Sequence, residues 1–138
     1  MISVYTDGGS RGNPGHAAYG VYICDENKNT IASFGKRIGI ATNNVAEYQG
    51  MNAALAWLIA HKDTIKHEKK INVFADSLLL VSQINGVYKV KNNMLMMLLF
   101  GIREKEAELG MPMVYKHIPR EENKKADAEV NKALDAKE

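Results

Sequence analysis

The chain reads as an α/β protein in which helices cover both faces of one mixed, five-stranded sheet. Strand-like segments joined by short, turn-rich connections fill residues 2–40. At Asn44 the apolar period changes from two residues to about 3.6. Beyond residue 70, short β-like runs alternate with helical ones, the pattern of βα units.

The first strand is expected over Ile2 to Asp7, the second over Ala17 to Asp25 and the third over Thr30 to Ile40. Gly8 to Gly15 and Glu26 to Asn29 supply the turns, and connections this short favour an antiparallel meander. Val45, Tyr48, Met51, Leu55, Leu58 and Ile59 recur at helical spacing, so a long amphipathic helix should run from Asn44 to about His61 or Lys62. Lys70 to Ala75 reads as a strand, and Ser77 to Ile84 as a short helix stopped by Asn85-Gly86. Asn93 is placed to cap a helix from Met94 to about Leu109, which Gly110 and Pro112 end. Met113 to Ile118 is again strand-like, and Glu122 to Lys137 presents Ala126, Val130, Ala133 and Leu134 on one helical face. Crossover rules then place the first strand near the middle of the sheet.

A chain of 138 residues that is 46% hydrophobic and 25% charged suits a single globular domain over residues 1–138, burying roughly 70% of the surface its unfolded form exposes. No apolar run is long enough to cross a bilayer and no signal peptide precedes the first strand, so a cytoplasmic protein is expected. Cys24 cannot form an internal disulfide and reads as a packed core residue. Met94, Met96 and Met97 are expected to serve packing. A net charge of +2 permits a polyanionic partner without requiring one.

Four carboxylates carry the chemical argument. Asp7 and Asp76 follow strands that should be neighbours, Glu47 stands on the first long helix, and Asp127 lies within the last. Three have an ordinary explanation: a turn residue at Asp7, a capping-box partner of Asn44 at Glu47, a helix cap at Asp76. Asp127 has none, because an aspartate inside a helix is a poor helix former with no cap to satisfy. Brought together, the four would repel one another unless cations lay between them; two Mg²⁺ ions about 4 Å apart suit all-oxygen ligation better than zinc or copper. His16, His61, His67 and His117 show no paired metal-ligand spacing.

At these residues the sequence resembles the type 1 ribonuclease H family over nearly its whole length. The matching segments are Tyr5-Thr6-Asp7-Gly8-Gly9-Ser10-Arg11-Gly12-Asn13-Pro14-Gly15, Thr42-Asn43-Asn44-Val45-Ala46-Glu47-Tyr48, Ala75-Asp76-Ser77, and His117-Ile118-Pro119-Arg120-Glu121-Glu122-Asn123-Lys124-Lys125-Ala126-Asp127. The resemblance implies a ribonuclease H-like fold. It also implies a divalent-metal-dependent endonuclease that cuts the RNA strand of an RNA/DNA hybrid to 5′-phosphate and 3′-hydroxyl ends. By resemblance, Asp7 would bridge two Mg²⁺ ions, with Mn²⁺ as a substitute. Asp76 and Asp127 would complete the nucleophile-side ion and Glu47 the leaving-group side, while His117 would move protons or aid product release.

The family pattern further implies hybrid contacts from Asn13, Asn43 and Asn44 and a DNA-phosphate contact from Thr42. Gly8, Gly9 and Gly12 would permit close backbone approach. Arg11, Lys89 and Lys91 are candidate phosphate contacts, with Tyr88 as an apolar platform. Double-stranded RNA is a further candidate substrate, and no membrane or obligate protein partner is expected. The chain departs from relatives that insert a basic helical protrusion, since Gly86 to Asn93 is short and holds two lysines. Leu78 replaces a polar residue found in some relatives, and His16-Ala17-Ala18-Tyr19 is less glycine-rich than usual. No separate hybrid-binding domain is expected before Met1. Two competing readings remain at this level. A non-catalytic binding module on the same fold would bind without turnover, and a phosphatase using Asp7 would want an acid where Gly9 stands.

Overall fold

The computed structural model describes residues 1–136. Its five strands are β1 (Ser3–Arg11), β2 (Gly15–Cys24), β3 (Thr30–Ala41), β4 (Ile71–Ala75) and β5 (Met113–His117), ordered β3-β2-β1-β4-β5. β1 pairs antiparallel with β2 and parallel with β4, so the sheet changes sense at its central strand, as the meander-then-crossover order requires. The helices are α1 (Asn43–Ala60), the four-residue α2 (Lys62–Ile65), α3 (Leu78–Ile84), α4 (Asn93–Leu109) and α5 (Lys124–Asp135).

α1 packs on β1 and β2 and carries α4 on its back; α5 lies across β1, β2 and β3. Between the sheet and α1, Val4, Val21, Ile23, Tyr48, Met51, Leu55, Leu58 and Ile71 are fully or almost fully buried. Burial of this kind contributes about 1.5–3 kcal/mol for each large aliphatic side chain. Cys24 is buried as expected.

The boundaries differ from the sequence reading where a local signal had two meanings. β1 does not stop at Asp7 but continues through Gly8 and Gly9 to Arg11, leaving a tight turn at Gly12-Asn13-Pro14 with a cis Asn13–Pro14 bond. Gly8 is in this strand because α1 crosses it closely: a Cβ there would lie 2.4 Å from the Ala46 carbonyl carbon and the Glu47 nitrogen. Thr42, not Asn44, caps α1 by accepting the Val45 N–H at 3.2 Å, and Asn92, not Asn93, caps α4 by accepting that of Leu95 at 3.0 Å. The last helix starts at Lys124 after a 3₁₀ turn over Arg120–Glu122; Lys137 lies outside the described residues. α2 has no counterpart in the sequence reading. Met94, Met96 and Met97 are 58%, 49% and 76% exposed, so they are not packing residues; Leu95 and Ile102 form the buried stripe of that helix instead.

Candidate active site

Strand register brings the first two carboxylates together. The last β1–β4 pair is Thr6 with Ala75, so Asp7 and Asp76 each stand one residue beyond it, at the end of the parallel strands. Asp7 does not end its own strand, which continues in pairing with β2; it stands where its parallel neighbour ends. The antiparallel partner of Asp7 is Gly20, and α5 passes directly over that glycine: a Cβ there would lie 2.2 Å from the Ala126 carbonyl oxygen. Asp127 therefore arrives beside Asp7. On the other side, the close crossing of α1 over Gly8 delivers Glu47. Asp7, Glu47, Asp76 and Asp127 line one cleft of about 550 Å³ together with Gly8, Gly9, Ser10, Arg11, Asn43, Ser77 and Arg120. A second cavity, about 450 Å³ between Tyr5, Tyr22 and Lys28, contains none of the four.

Two of the ordinary explanations fall away here. With Thr42 as cap, Glu47 lies beyond the first turn of α1, where no acidic residue is found. α3 is capped by Ser77, whose hydroxyl oxygen accepts the Leu80 N–H at 3.1 Å, so Asp76 caps nothing. Asp127 moves the other way. It occupies the first turn of α5, where a negative charge is favoured by the helix dipole. Asp7 accepts the Gly8 N–H at 2.9 Å, as a turn aspartate would, but from within a strand.

The electrostatics show what the convergence costs. Burial pushes the Asp7 carboxyl up to about 8, reinforced by the charge of Asp76 and opposed by the Gly8 N–H; Asp127 raises it further by charge and by a shared hydrogen bond. Two carboxylates share such a bond only when one holds a proton. Burial also pushes Glu47 up to about 7, with the Ser77 hydroxyl lowering it and Asp76 raising it. Among the described residues, no three His, Cys, Asp or Glu side chains stand close enough as they are to hold a metal ion; the four acids line an open cleft. Their chemistry fits hard divalent cations, because every donor is oxygen and positive charge between them would offset the repulsion that Asp76 and Asp127 exert on Asp7.

The remaining candidates divide. Gly8, Gly9, Arg11 and Asn43 are in the cleft wall. Asn43 Oδ1 accepts the Ser10 N–H at 2.8 Å, and Asn13 Oδ1 accepts the Asn43 N–H at 3.1 Å, so these two asparagines tie the β1–β2 turn to the start of α1. Arg11 pairs with Asp135 at 2.6 Å on the surface. Thr42, its hydroxyl engaged as a cap, and the exposed Asn44 stand at the α1 start outside the cleft wall. Lys89 and Tyr88 are exposed in the α3–α4 connection, as is Lys91, and none lines the cleft. His117 ends β5, paired with Ala75, and is exposed; it too lies outside the cleft wall. The sequence reading assigned no role to Ser77, Arg120 or Asn123. Ser77 bonds Glu47, Arg120 is a cation among the acids, and the Asn123 side chain donates to Asp76. A serine directly after Asp76 was the available signal for the first; nothing local marks the other two.

A sheet of this topology with acidic side chains gathered at the ends of its parallel strands defines a class of α/β proteins built to hold divalent cations beside a substrate. The chain belongs to the RNase H family, whose model matches residues 1–135. It is 37% identical over 137 residues to the bifunctional protein Rv2228c of Mycobacterium tuberculosis, covering 98% of this chain and 36% of that protein. Ribonuclease HI of Halobacterium salinarum is 36% identical over 135 residues, covering 97% of this chain and 64% of the relative. The chain thus spans about a third to two thirds of the length of these curated relatives. Among solved structures, LC11-RNase H1 in complex with an RNA/DNA hybrid superposes with a TM-score of 0.91 at 43% identity, covering 98% of this chain and 97% of that one. The expected fold, a five-stranded mixed sheet of the ribonuclease H type, is the one observed.

Proposed function

We propose that the chain is a divalent-metal-dependent endoribonuclease that hydrolyses the RNA strand of RNA/DNA hybrids, leaving 5′-phosphate and 3′-hydroxyl ends. The observation that carries the reading is the meeting of Asp7, Glu47, Asp76 and Asp127 in one cleft, two of them without a capping role. Membership of the RNase H family and the likeness to an RNase H1 that binds an RNA/DNA hybrid support the substrate class.

Asp7, Glu47, Asp76 and Asp127 would hold the cations, Mg²⁺ first and Mn²⁺ as a substitute, with Asp7 central because both of its acidic neighbours converge on it. When bound, divalent cations make an attacking water more acidic and stabilise the departing ribose oxygen. The protein's own groups supply the rest. Ser77 holds Glu47 by a hydrogen bond. Arg120 and Arg11 place positive charge at the cleft for the substrate backbone. The start of α1, with Asn43 and Asn44 beside Asn13, offers polar groups for sugar edges, where the 2′-hydroxyl distinguishes RNA from DNA. His117, exposed at the β5 end, would move protons or aid product release.

Cleavage of matched, labelled RNA/DNA, RNA/RNA and DNA/DNA duplexes with Mg²⁺ or Mn²⁺ tests the proposal. Cutting confined to, or strongest on, the RNA strand of the hybrid is expected, with Asp76→Asn reduced to background. Salt-sensitive binding of the hybrid with no product under either metal would identify a binding module instead.

A further inference from the structure

We infer that Asn123 is a positioning residue that holds three of the four carboxylates in register, with Asp76 set to receive a divalent cation; the inference rests on the metal-dependent reading above. Asn123 is 1% exposed and occupies the N-cap position of α5. An asparagine there ordinarily accepts a backbone N–H of the first turn, yet this one makes no such bond. Its amide nitrogen is used elsewhere. It donates to the Thr6 carbonyl at 2.9 Å and to Asp76 Oδ2 at 3.2 Å.

The orientation of the amide has one solution. Both groups facing the nitrogen are oxygen acceptors, so turning the amide over would set its own oxygen against two others. In the orientation observed, Asn123 Oδ1 is buried with no partner among the described residues. A residue selected for helix stability would spend its side chain on the cap and leave no orphan. Here the amide is spent on the site.

Three ligands are thereby referred to one side chain and its backbone. Thr6 is the residue before Asp7, Asp76 is bonded directly, and the Asp127 N–H donates to the Asn123 carbonyl at 3.1 Å. The Asn123 amide fixes Oδ2 of Asp76 and leaves Oδ1 of that carboxylate without a bond from it, open to ligate. The same bonds bind β1, the end of β4 and the start of α5 at the one point where their spacing sets the donor geometry.

The test measures Mn²⁺ affinity by titration calorimetry on protein without nucleic acid, beside melting temperature and the separate values of kcat and KM for a hybrid. Asn123→Ala should weaken Mn²⁺ binding by about 10- to 100-fold, lower kcat and leave KM within about twofold. Asn123→Asp keeps the shape but turns an oxygen toward Asp76, and should bind Mn²⁺ more weakly still. Leu109→Ala, in the core at the far end of α4, supplies a destabilised control that should lower the melting temperature with Mn²⁺ affinity unchanged. Folding is checked by circular dichroism, and Asn123→Asp carries the test if Asn123→Ala does not fold. Wild-type Mn²⁺ affinity and kcat in a folded Asn123 variant of lowered melting temperature would show a purely structural role and overturn the inference. Tighter Mn²⁺ binding by Asn123→Asp than by wild type would overturn it as well. Wild-type protein that neither binds Mn²⁺ nor cuts the hybrid overturns the parent reading, and this one with it.

Discussion

Asp7 and Glu47 hold their protons more tightly in the folded protein than in the unfolded chain, where they would titrate near 3.8 and 4.5. Stability from such raised groups is complete below about pH 4 and is lost as pH rises through about 7 and 8. Calorimetric melting of metal-free protein should therefore show stability falling between about pH 5 and 8, by up to about 1.4 kcal/mol per pH unit for each group. Mg²⁺ should restore it at the upper end with release of protons; a flat profile would count against the buried acidic cluster. Ser77 adds a second prediction, because its hydroxyl bonds Glu47 while its oxygen caps α3. Ser77→Ala should raise the Glu47 pKa further and move the rise of the pH–rate profile to higher pH, with about 1 kcal/mol lost from the cap. The four acids were legible in the sequence, but their relative weight was not. Spacing made Glu47 and Asp76 look like caps, and shifts of two residues to Thr42 and of one to Ser77 freed both. Asp127 looked isolated in mid-helix only because α5 starts at Lys124, after a 3₁₀ turn that periodicity does not reveal.

Two glycines let the elements come close enough to make the site. Gly8 admits α1 and Gly20 admits α5, and a Cβ at either would meet backbone within 2.4 Å, which cannot yield as a side-chain end can. Gly20→Ala should displace α5, and Asp127 with it. Misplacement of about 1 Å costs about 100-fold in rate, so cleavage assays should show a loss far larger than the change in circular dichroism. Leu58→Ala makes the contrasting case. That residue is fully buried between α1 and the sheet, away from the cleft, and its truncation should cost about 2–5 kcal/mol in denaturant unfolding, with kcat at low temperature little changed. Helix and strand identities were readable because apolar periods are long-range averages. The end of β1 was not, since Gly8-Gly9 signals a turn locally and serves in the fold as clearance for a helix, a fact held by residues 46 and 47 rather than by neighbours.

At the scale of the molecule, the connection between α3 and α4 is sparsely basic. Lys89 and Lys91 lie in the exposed α3–α4 connection, which leads into an α4 surface bearing Met94, Met97 and Phe100 at 58%, 76% and 65% exposure. If both lysines contact phosphates, replacing the pair by alanine should weaken hybrid binding uniformly across sequences and reduce the salt slope by about 2, with kcat retained. The apolar surface of α4 was misjudged from sequence because methionine periodicity looks the same whether a helix faces a core or water. Strand order was legible for the opposite reason, being set by connection lengths and crossover rules. The central place of β1 has one more consequence. The cleft draws on residues 7, 47, 76 and 127, nearly the full span of the chain, and β4, β5 and α5 must all assemble around a strand made first. On the ribosome, the emerging polypeptide carries an incomplete set of acids until Asp127 has left the exit tunnel and α5 has docked. The acidic cluster is thus the last part of this fold to be completed as residues 1–136 are made.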